Sequence, residues 1–265
     1  MPAIPHMSSA ILQPLQLINN LKSIASRPFR NRMRAWEQDP YRIYYRESLD
    51  GAGRLFAPYF VDFLRREHPR GIDTLFEWCS GPGFIGFSLL RAGICRNLVL
   101  ADINPRAIDC VRKTVRLNGL EGAVRYYVSE NLRHVPAHER FDAVVANPPF
   151  YCCLNPQHPL YEQFKDDLRP NDPDWKAHDD FYRTIGAHLN PAATLYIMEV
   201  EPEQTVYITP GYSEAWDVRP RPPIEDFRRM IDAGGLTYVR TADFIKQDGY
   251  SGQLVISRAG ILTSG

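Results

Sequence analysis

Charge of a single sign is what this chain most clearly lacks. Its 31 Lys and Arg are balanced by 31 Asp and Glu, so the formal net charge is zero. A groove that neutralises many phosphates leaves a basic surplus. The balance therefore favours a small-molecule substrate over nucleic acid. Cysteine is scarce: Cys79, Cys95, Cys110, Cys152 and Cys153 form no C-x-x-C pair and no ligand-like spacing with histidine. An odd, scattered set reads as free thiols in a reducing compartment. No apolar run approaches the roughly 20 residues that span a bilayer. Gln13, Pro14 and Gln16 interrupt the one apolar candidate near the start. The expectation is a cytoplasmic protein with no membrane association. There is neither G-x-S-x-G nor a P-loop, so hydrolase and NTPase readings have no warrant. Internal repeats are absent, and oligomeric state is left open.

No metal is expected. His134 and His138 stand four apart but flank Pro136. Asp166, Asp167, Asp172, Asp174, Asp179 and Asp180, with His158 and His178, lack calcium-loop spacing and read as a solvated lid.

What is present is a change of rhythm after residue 70. Before it the chain reads as helical: Leu12, Leu15, Ile18, Leu21 and Ile24 recur at helical spacing. Leu55, Phe56, Tyr59, Phe60, Phe63 and Leu64 do the same between Arg54 and Glu67. An arginine- and aromatic-rich stretch lies between, from Phe29 to Tyr45, split by Pro40. A phosphate contact is one reading of the Arg27–Arg34 cluster, but the interspersed Glu37, Asp39 and Glu47 favour a solvated helical face. Residues 1–70 are expected to form a helical lid, and residues 71–265 the main domain.

Beyond Gly71, strands at Thr74–Cys79, Asn97–Asp102, Val124–Val128, Phe141–Ala146 and Thr194–Val200 alternate with helices at Phe84–Ala92, Pro105–Asn118 and Asp179–Leu189. Such alternation implies a parallel sheet with helices on both faces. A proline-rich stretch, Glu201–Pro223, then precedes a helix at Ile224–Ala233 and strands at Leu236–Ile245 and Gly252–Arg258. The short Gln247–Ser251 link cannot hold a crossover helix, so the last strand must run antiparallel to its neighbour.

The run Glu77-Trp-Cys-Ser-Gly81-Pro-Gly83-Phe-Ile-Gly86 follows the first of these strands and opens a helix. Glycines there let backbone approach a ligand beside free helix N–H groups. Asp102 ends the next strand, where a carboxylate can accept from ribose hydroxyls. Gly81, Gly83 and Gly86 also satisfy G-x-G-x-x-G, so a dinucleotide-binding domain competes, and a glycine turn serving packing alone is the plainest alternative. Three features shift the balance. Glu77 can face a ligand's ammonium, directly or through water, where a pyrophosphate gains nothing from it. Asn147-Pro148-Pro149-Phe150 has no role in hydride transfer. The antiparallel last strand is foreign to a plain dinucleotide fold.

These residues resemble the class I S-adenosylmethionine (SAM)-dependent methyltransferases, and the resemblance runs from about Ile72 to Arg258. It implies an α/β Rossmann-like fold with a mostly parallel seven-stranded sheet, an antiparallel last strand and an N-terminal helical lid. It also implies that Glu77, Cys79, Gly81 and Gly83 line the methionine part of SAM, that Asp102 holds the ribose, that Ile103 packs on the adenine, and that Glu130 receives its amino group. Cys79 stands where many members have glycine.

Asn147-Pro148-Pro149-Phe150 resembles the Asn/Asp-Pro-Pro-aromatic signature of methyltransferases acting on nitrogen conjugated to a planar group. Two prolines stiffen the strand exit and remove N–H donors. The Asn147 side-chain oxygen and the Pro148 carbonyl can then both accept from one –NH2, while Phe150 stacks on a flat substrate or shields the cation. Release-factor glutamine methyltransferases end this motif in tyrosine and carry a larger N-terminal substrate domain. Tyr182 lies where it can reach the sulfonium, or can be an ordinary core tyrosine. The resemblance favours N-methylation of a small or peptidic acceptor in bacterial natural-product metabolism. The segment Cys79–Gly86 with Ala101-Asp-Ile-Asn-Pro105 is also similar to a natural-product branch that cyclises SAM to azetidine-2-carboxylate and methylthioadenosine. A non-catalytic SAM-binding protein is the third reading, and intact Glu77, Asp102 and Asn147 argue against it.

Overall fold

A computed structural model describes residues 32–149, 172, 175–199, 224–247 and 250–260. The expected helix over residues 11–24 lies outside them, as do Phe150, Cys152, Cys153 and all of the proline-rich stretch.

The arginine- and aromatic-rich stretch differs from the helical expectation. Strands β1 (Met33–Gln38) and β2 (Tyr41–Arg46) pair antiparallel as a hairpin, Trp36 opposite Ile43 and Gln38 opposite Tyr41. The physical reason is a period of two: Tyr41, Ile43 and Tyr45 alternate with Arg42, Tyr44 and Arg46, and Ile43 and Tyr45 are buried. Pro40 occupies the turn. The outer edge of β2 is closed by side chains of a later helix. Asn118 accepts from Arg42 N–H (2.9 Å) and donates to Arg42 C=O (2.9 Å), while Tyr44 N–H donates to Thr114 Oγ1 (2.8 Å).

Helix α1 (Gly53–Glu67) follows, close to the expected Arg54 start. Then come β3 (Ile72–Trp78), α2 (Phe84–Arg91), β4 (Cys95–Asp102), α3 (Pro105–Asn118), β5 (Val124–Val128), β6 (Phe141–Ala146), α4 (Lys176–Ile185), β7 (Leu189–Glu199), α5 (Ile224–Ala233), β8 (Leu236–Gln247) and β9 (Tyr250–Ala259). α3 shows why the local sequence folds so: Asn104 accepts from Arg106 N–H at its start, Pro105 takes the first helical position, and Gly119 closes it in the left-handed conformation at φ 66.

The seven-stranded sheet has the order β5-β4-β3-β6-β7-β9-β8. Its first five strands are parallel, and β9 runs antiparallel between β7 and β8. The α/β Rossmann-like architecture with an antiparallel last strand is therefore as expected. Alternate strand residues serve opposite faces. Leu75, Leu98, Ala143 and Val145 pack with Phe56, Phe60 and Leu64 of α1, Ile85 of α2 and Val111 of α3. Phe76, Val99, Val144 and Ala146 pack with Phe181 of α4 and Phe227 of α5 on the other face. α1 thus shares the main core; Phe60 meets Phe244 of β8 edge-on at 4.6 Å. The chain leaves β3 toward β4 and β5, then returns to β6 on the opposite side. Such a reversal opens a crevice beyond the carboxyl ends of β3 and β6.

Candidate active site

The glycine loop sits at that crevice. Gly81 and Gly83 are left-handed (φ 52 and 82), and a Cβ at Gly83 would lie 2.9 Å from the Phe87 ring. Only glycine fits there without displacing the ring. Cys79 is also left-handed (φ 51), a conformation costing a non-glycine residue about 1–2 kcal/mol. Burial, with Asp102, Asp172 and Glu77 nearby, holds its thiol well above the ordinary range, so it is protonated and unsuited to attack.

Glu77 does not face the crevice openly. It is 2% exposed, and its Oε2 accepts from Gly86 N–H at 2.8 Å, so it turns toward the amino end of α2 beneath the loop. The uncovered amides of a helix start draw a carboxyl group strongly. Burial raises its pKa to about 8, partly offset by hydrogen bonds from Gly86 and Ile85. Glu77 therefore pins strand to helix, and a direct contact with a ligand ammonium is not what its position favours.

Asp102 is where the sequence placed it, and it also braces the loop. Its Oδ2 accepts from Gly81 N–H (2.7 Å) and its Oδ1 from Asn104 N–H (2.8 Å). Burial raises its pKa, and these two bonds oppose the rise. Ile103 beside it is 49% exposed, and Val128, paired across from Asp102, is 41% exposed. Large apolar side chains left uncovered at this edge suit a flat ring. Glu130 is exposed and ion-paired with Arg133 at 2.7 Å, a contact of little energetic weight.

Asn147 follows β6, across the crevice. Its Nδ2 donates to the Gly51 carbonyl at 2.9 Å. A carbonyl can only accept, which settles which end of the carboxamide is which. The opposite end, Oδ1, is buried and meets no donor among the described residues. An acceptor in that state costs about 1–3 kcal/mol unless a ligand satisfies it. Pro148 is buried and Pro149 half-buried behind it.

Tyr182 is not brought to this group. It has no exposed surface and lies in the apolar cluster with Phe181, Ile185 and Phe227, because α4 turns that face onto the sheet. Of the acidic run expected as a solvated lid, Asp179 does stand at the surface, paired with Arg183 at 2.8 Å, but two members differ. Asp172 and His178 are 2% and 0% exposed and hydrogen-bond each other.

Two contributors had no sequence motif. Gly51, 96 positions before Asn147, orients its side chain, and the Leu49 carbonyl two residues earlier would lie 3.5 Å from a Cβ at Gly81. The segment before α1 thus reaches both arms of the crevice. Asn131, left-handed at φ 49, accepts from Trp78 Nε1 (2.9 Å) and donates to Asp180 Oδ2 (2.6 Å), tying the loop after β5 to β3 and α4. The one local signal is that asparagine tolerates left-handed backbone. No helix among the described residues is long and apolar enough to cross a membrane, and no cluster of candidate metal ligands occurs among them.

Comparisons with known proteins agree with this architecture. Residues 42–166 match the family model "Methyltransferase small domain". The release factor glutamine methyltransferase of Leptospira interrogans is 30% identical over 81 residues, covering 30% of this chain and 28% of that protein. Ribosomal RNA small subunit methyltransferase C of Proteus mirabilis is 28% identical over 109 residues, 41% of this chain and 29% of that protein. The chain thus spans under a third of either relative. Among solved structures, the T. thermophilus 16S rRNA N2 G1207 methyltransferase, in complex with AdoMet and guanosine, superposes with a TM-score of 0.54 at 13% identity, over 86% of this chain and 50% of that one. The P. horikoshii TYW2 structure gives 0.52 at 14% identity, over 86% and 71%. At such identities the likeness is one of fold, the α/β Rossmann-like fold that these methyltransferases share.

Proposed function

From the match of residues 42–166 to the methyltransferase small domain, we propose that this chain is a SAM-dependent N-methyltransferase whose acceptor presents a planar, conjugated –NH2 on a small molecule or peptide. The observation that carries the reading is the buried Asn147 oxygen, held in place through Gly51 and left without a donor among the described residues.

The residues fit SAM as donor. Gly83 leaves a cradle that a Cβ would fill, Asp102 closes the ribose position, and Ile103 offers an open apolar surface. SAM supplies an electrophilic methyl on a sulfonium that is already a good leaving group. Asn147 and the Pro148 carbonyl each accept one hydrogen of the acceptor –NH2. That pulls its lone pair out of conjugation and aims it across the crevice toward the glycine loop. No strong base is needed, since the methylated nitrogen sheds its proton to solvent. Positioning of this kind can contribute about 7–11 kcal/mol. The zero net charge of the chain speaks against a long polyanionic acceptor. The relatives named above, whose printed names include a release-factor glutamine and a ribosomal RNA methyltransferase, bracket the amide and amine chemistry in view.

The test is methyl-labelled SAM with a panel of glutamine peptides, aromatic amines and nucleosides, beside SAM alone. Labelled N-methyl product is expected, and Asn147→Ala should lower turnover about 10²–10³-fold while SAM affinity changes far less. Asn147→Asp, which still accepts, should retain more activity. Methylthioadenosine from SAM alone would replace transfer by cyclisation. That reading has lost its cation–π partner, since Tyr182 is enclosed in the core. SAM binding with no turnover of any kind would leave a binding protein.

A further inference from the structure

Behind the crevice lies a group of charged side chains that the reading above does not use. His178 Nδ1 lies 2.6 Å from Asp172 Oδ2, and Nε2 lies 3.1 Å from Glu199 Oε1. All three residues are at most 2% exposed. Asp172 also receives the backbone N–H of Ala177 (2.9 Å) and of His178 (3.1 Å), so it fixes the start of α4. Around the imidazole stand Trp78 of β3 at 5.2 Å, Trp175 at 5.3 Å and Phe227 of α5 at 5.4 Å.

The placement ties both arms of the crevice to one ring. Trp78 lies between Glu77 and Cys79, and the Asp172 charge acts on the Cys79 thiol. On the other arm, Ile197 pairs in parallel register with Ala146, which sets Glu199, the last residue of β7, level with Pro148. A carboxylate accepts and does not donate, so the 2.6 Å bond to Asp172 places a proton on Nδ1, and the Glu199 carboxylate at 3.1 Å, an ion-pair contact without hydrogen-bond geometry, favours a second proton on Nε2 through its charge. Buried ion clusters contribute little net stability over a well-packed apolar core, and their best-attested use is to set position.

We propose that His178 is a positioning residue: a doubly protonated imidazole, clamped between Asp172 and Glu199, that holds the glycine loop and the Asn147 motif in register. The proposal rests on the reading of this crevice as a SAM site. Among the described residues, the charged and titratable groups facing the ring are Asp172 ahead of α4 and Glu199 of β7; Cys79 adjoins Asp172, and β3, α4 and α5 present aromatic rings. The two carboxylates raise the His178 pKa above its ordinary value, against the lowering effect of burial. The clamp is therefore intact below the ordinary value and lost as pH rises through the raised one. The short Asp172 contact keeps the remaining proton, and the Glu199 contact fails first.

The experiment uses the full chain and SAM as probe. Imidazole NMR should show both His178 nitrogens protonated at neutral pH and deprotonation above the ordinary histidine range of about 6.5. SAM calorimetry between about pH 6 and 9 is then run on wild type and Glu199→Gln, since a glutamine accommodates a neutral ring. Groups common to both proteins, Glu77 included, cancel in the ratio of their dissociation constants. That ratio should shift at least about fivefold across the titration, wild type losing affinity at the alkaline end. A flat ratio, or a neutral His178 at pH 7, would overturn the proposal. Wild type that binds no SAM at any pH would instead overturn the assignment of the site.

Discussion

Gly86→Ala is a demanding test of how this crevice is built, because helix propensity and packing predict opposite signs. Gly86 lies in α2, and alanine in a helix interior gains up to about 1 kcal/mol over glycine. A Cβ there, however, would lie 2.6 Å from Glu77 Oε2, 2.7 Å from Leu98 Cδ1 and 3.1 Å from Leu100 Cδ2. Carbon contacts are optimal near 3.5–4.0 Å, so all three neighbours must move, and both leucines are wholly buried. Overpacking of this kind costs about 1–3 kcal/mol. Moving Glu77 also weakens its bond from Gly86 N–H, worth about 1 kcal/mol. The net expectation is a loss of about 2 kcal/mol, or roughly 4–8 °C in Tm for a chain of this size. Thermal unfolding by circular dichroism reads it, with Gly122→Ala as control. No atom lies within 4 Å of a Cβ at Gly122, so that change should be neutral or slightly stabilising. A Gly86→Ala protein melting at or above wild type would refute the argument that Glu77 and the glycine loop are packed as one unit.

Asp102→Ala should weaken SAM binding by at least about tenfold in calorimetry, or 1.4 kcal/mol, because it removes both the proposed ribose acceptor and the brace on Gly81; unchanged affinity would leave Asp102 a loop brace only. Glu77 sets a pH dependence of stability. Its folded pKa of about 8 exceeds the ordinary 4.5, so the folded state binds the extra proton between those values. Its contribution is fully present below the ordinary value and is lost as pH rises toward about 8. Wild-type Tm should therefore fall with rising pH through that window, and Glu77→Gln, which still accepts from Gly86, should flatten the slope; an unchanged slope would contradict the burial argument. His178 acts in the same direction, so part of the slope should persist in Glu77→Gln.

Much of the frame was legible in residue order. Strand and helix alternation from Thr74 onward, the helix at Pro105–Asn118, the strands at Val124–Val128 and Phe141–Ala146, and the antiparallel end all follow from periodicity and link length. Asp102 and Asn147 stand at carboxyl strand ends because a parallel sheet puts every such end on one edge. Those are local properties: a repeat of two or of about four residues reports which face is buried, and a proline or glycine reports what the backbone permits. The stretch at 33–46 shows the same signal misread, where arginine and tyrosine density hid an alternation that only pairing made plain.

Tertiary structure alone decided the rest. Which end of Asn147 faces the crevice depends on a carbonyl 96 residues away. Glu77 turns beneath its loop because the uncovered amides at the start of α2 draw its carboxyl group. Tyr182 went into the core, while His178, four positions earlier on the same helix, found carboxylates from two other segments. In each case the residue type allows several partners, and its partner is set by which elements meet in space. Charges and hydrogen bonds act over a few ångströms, and sequence distance carries no information at that scale.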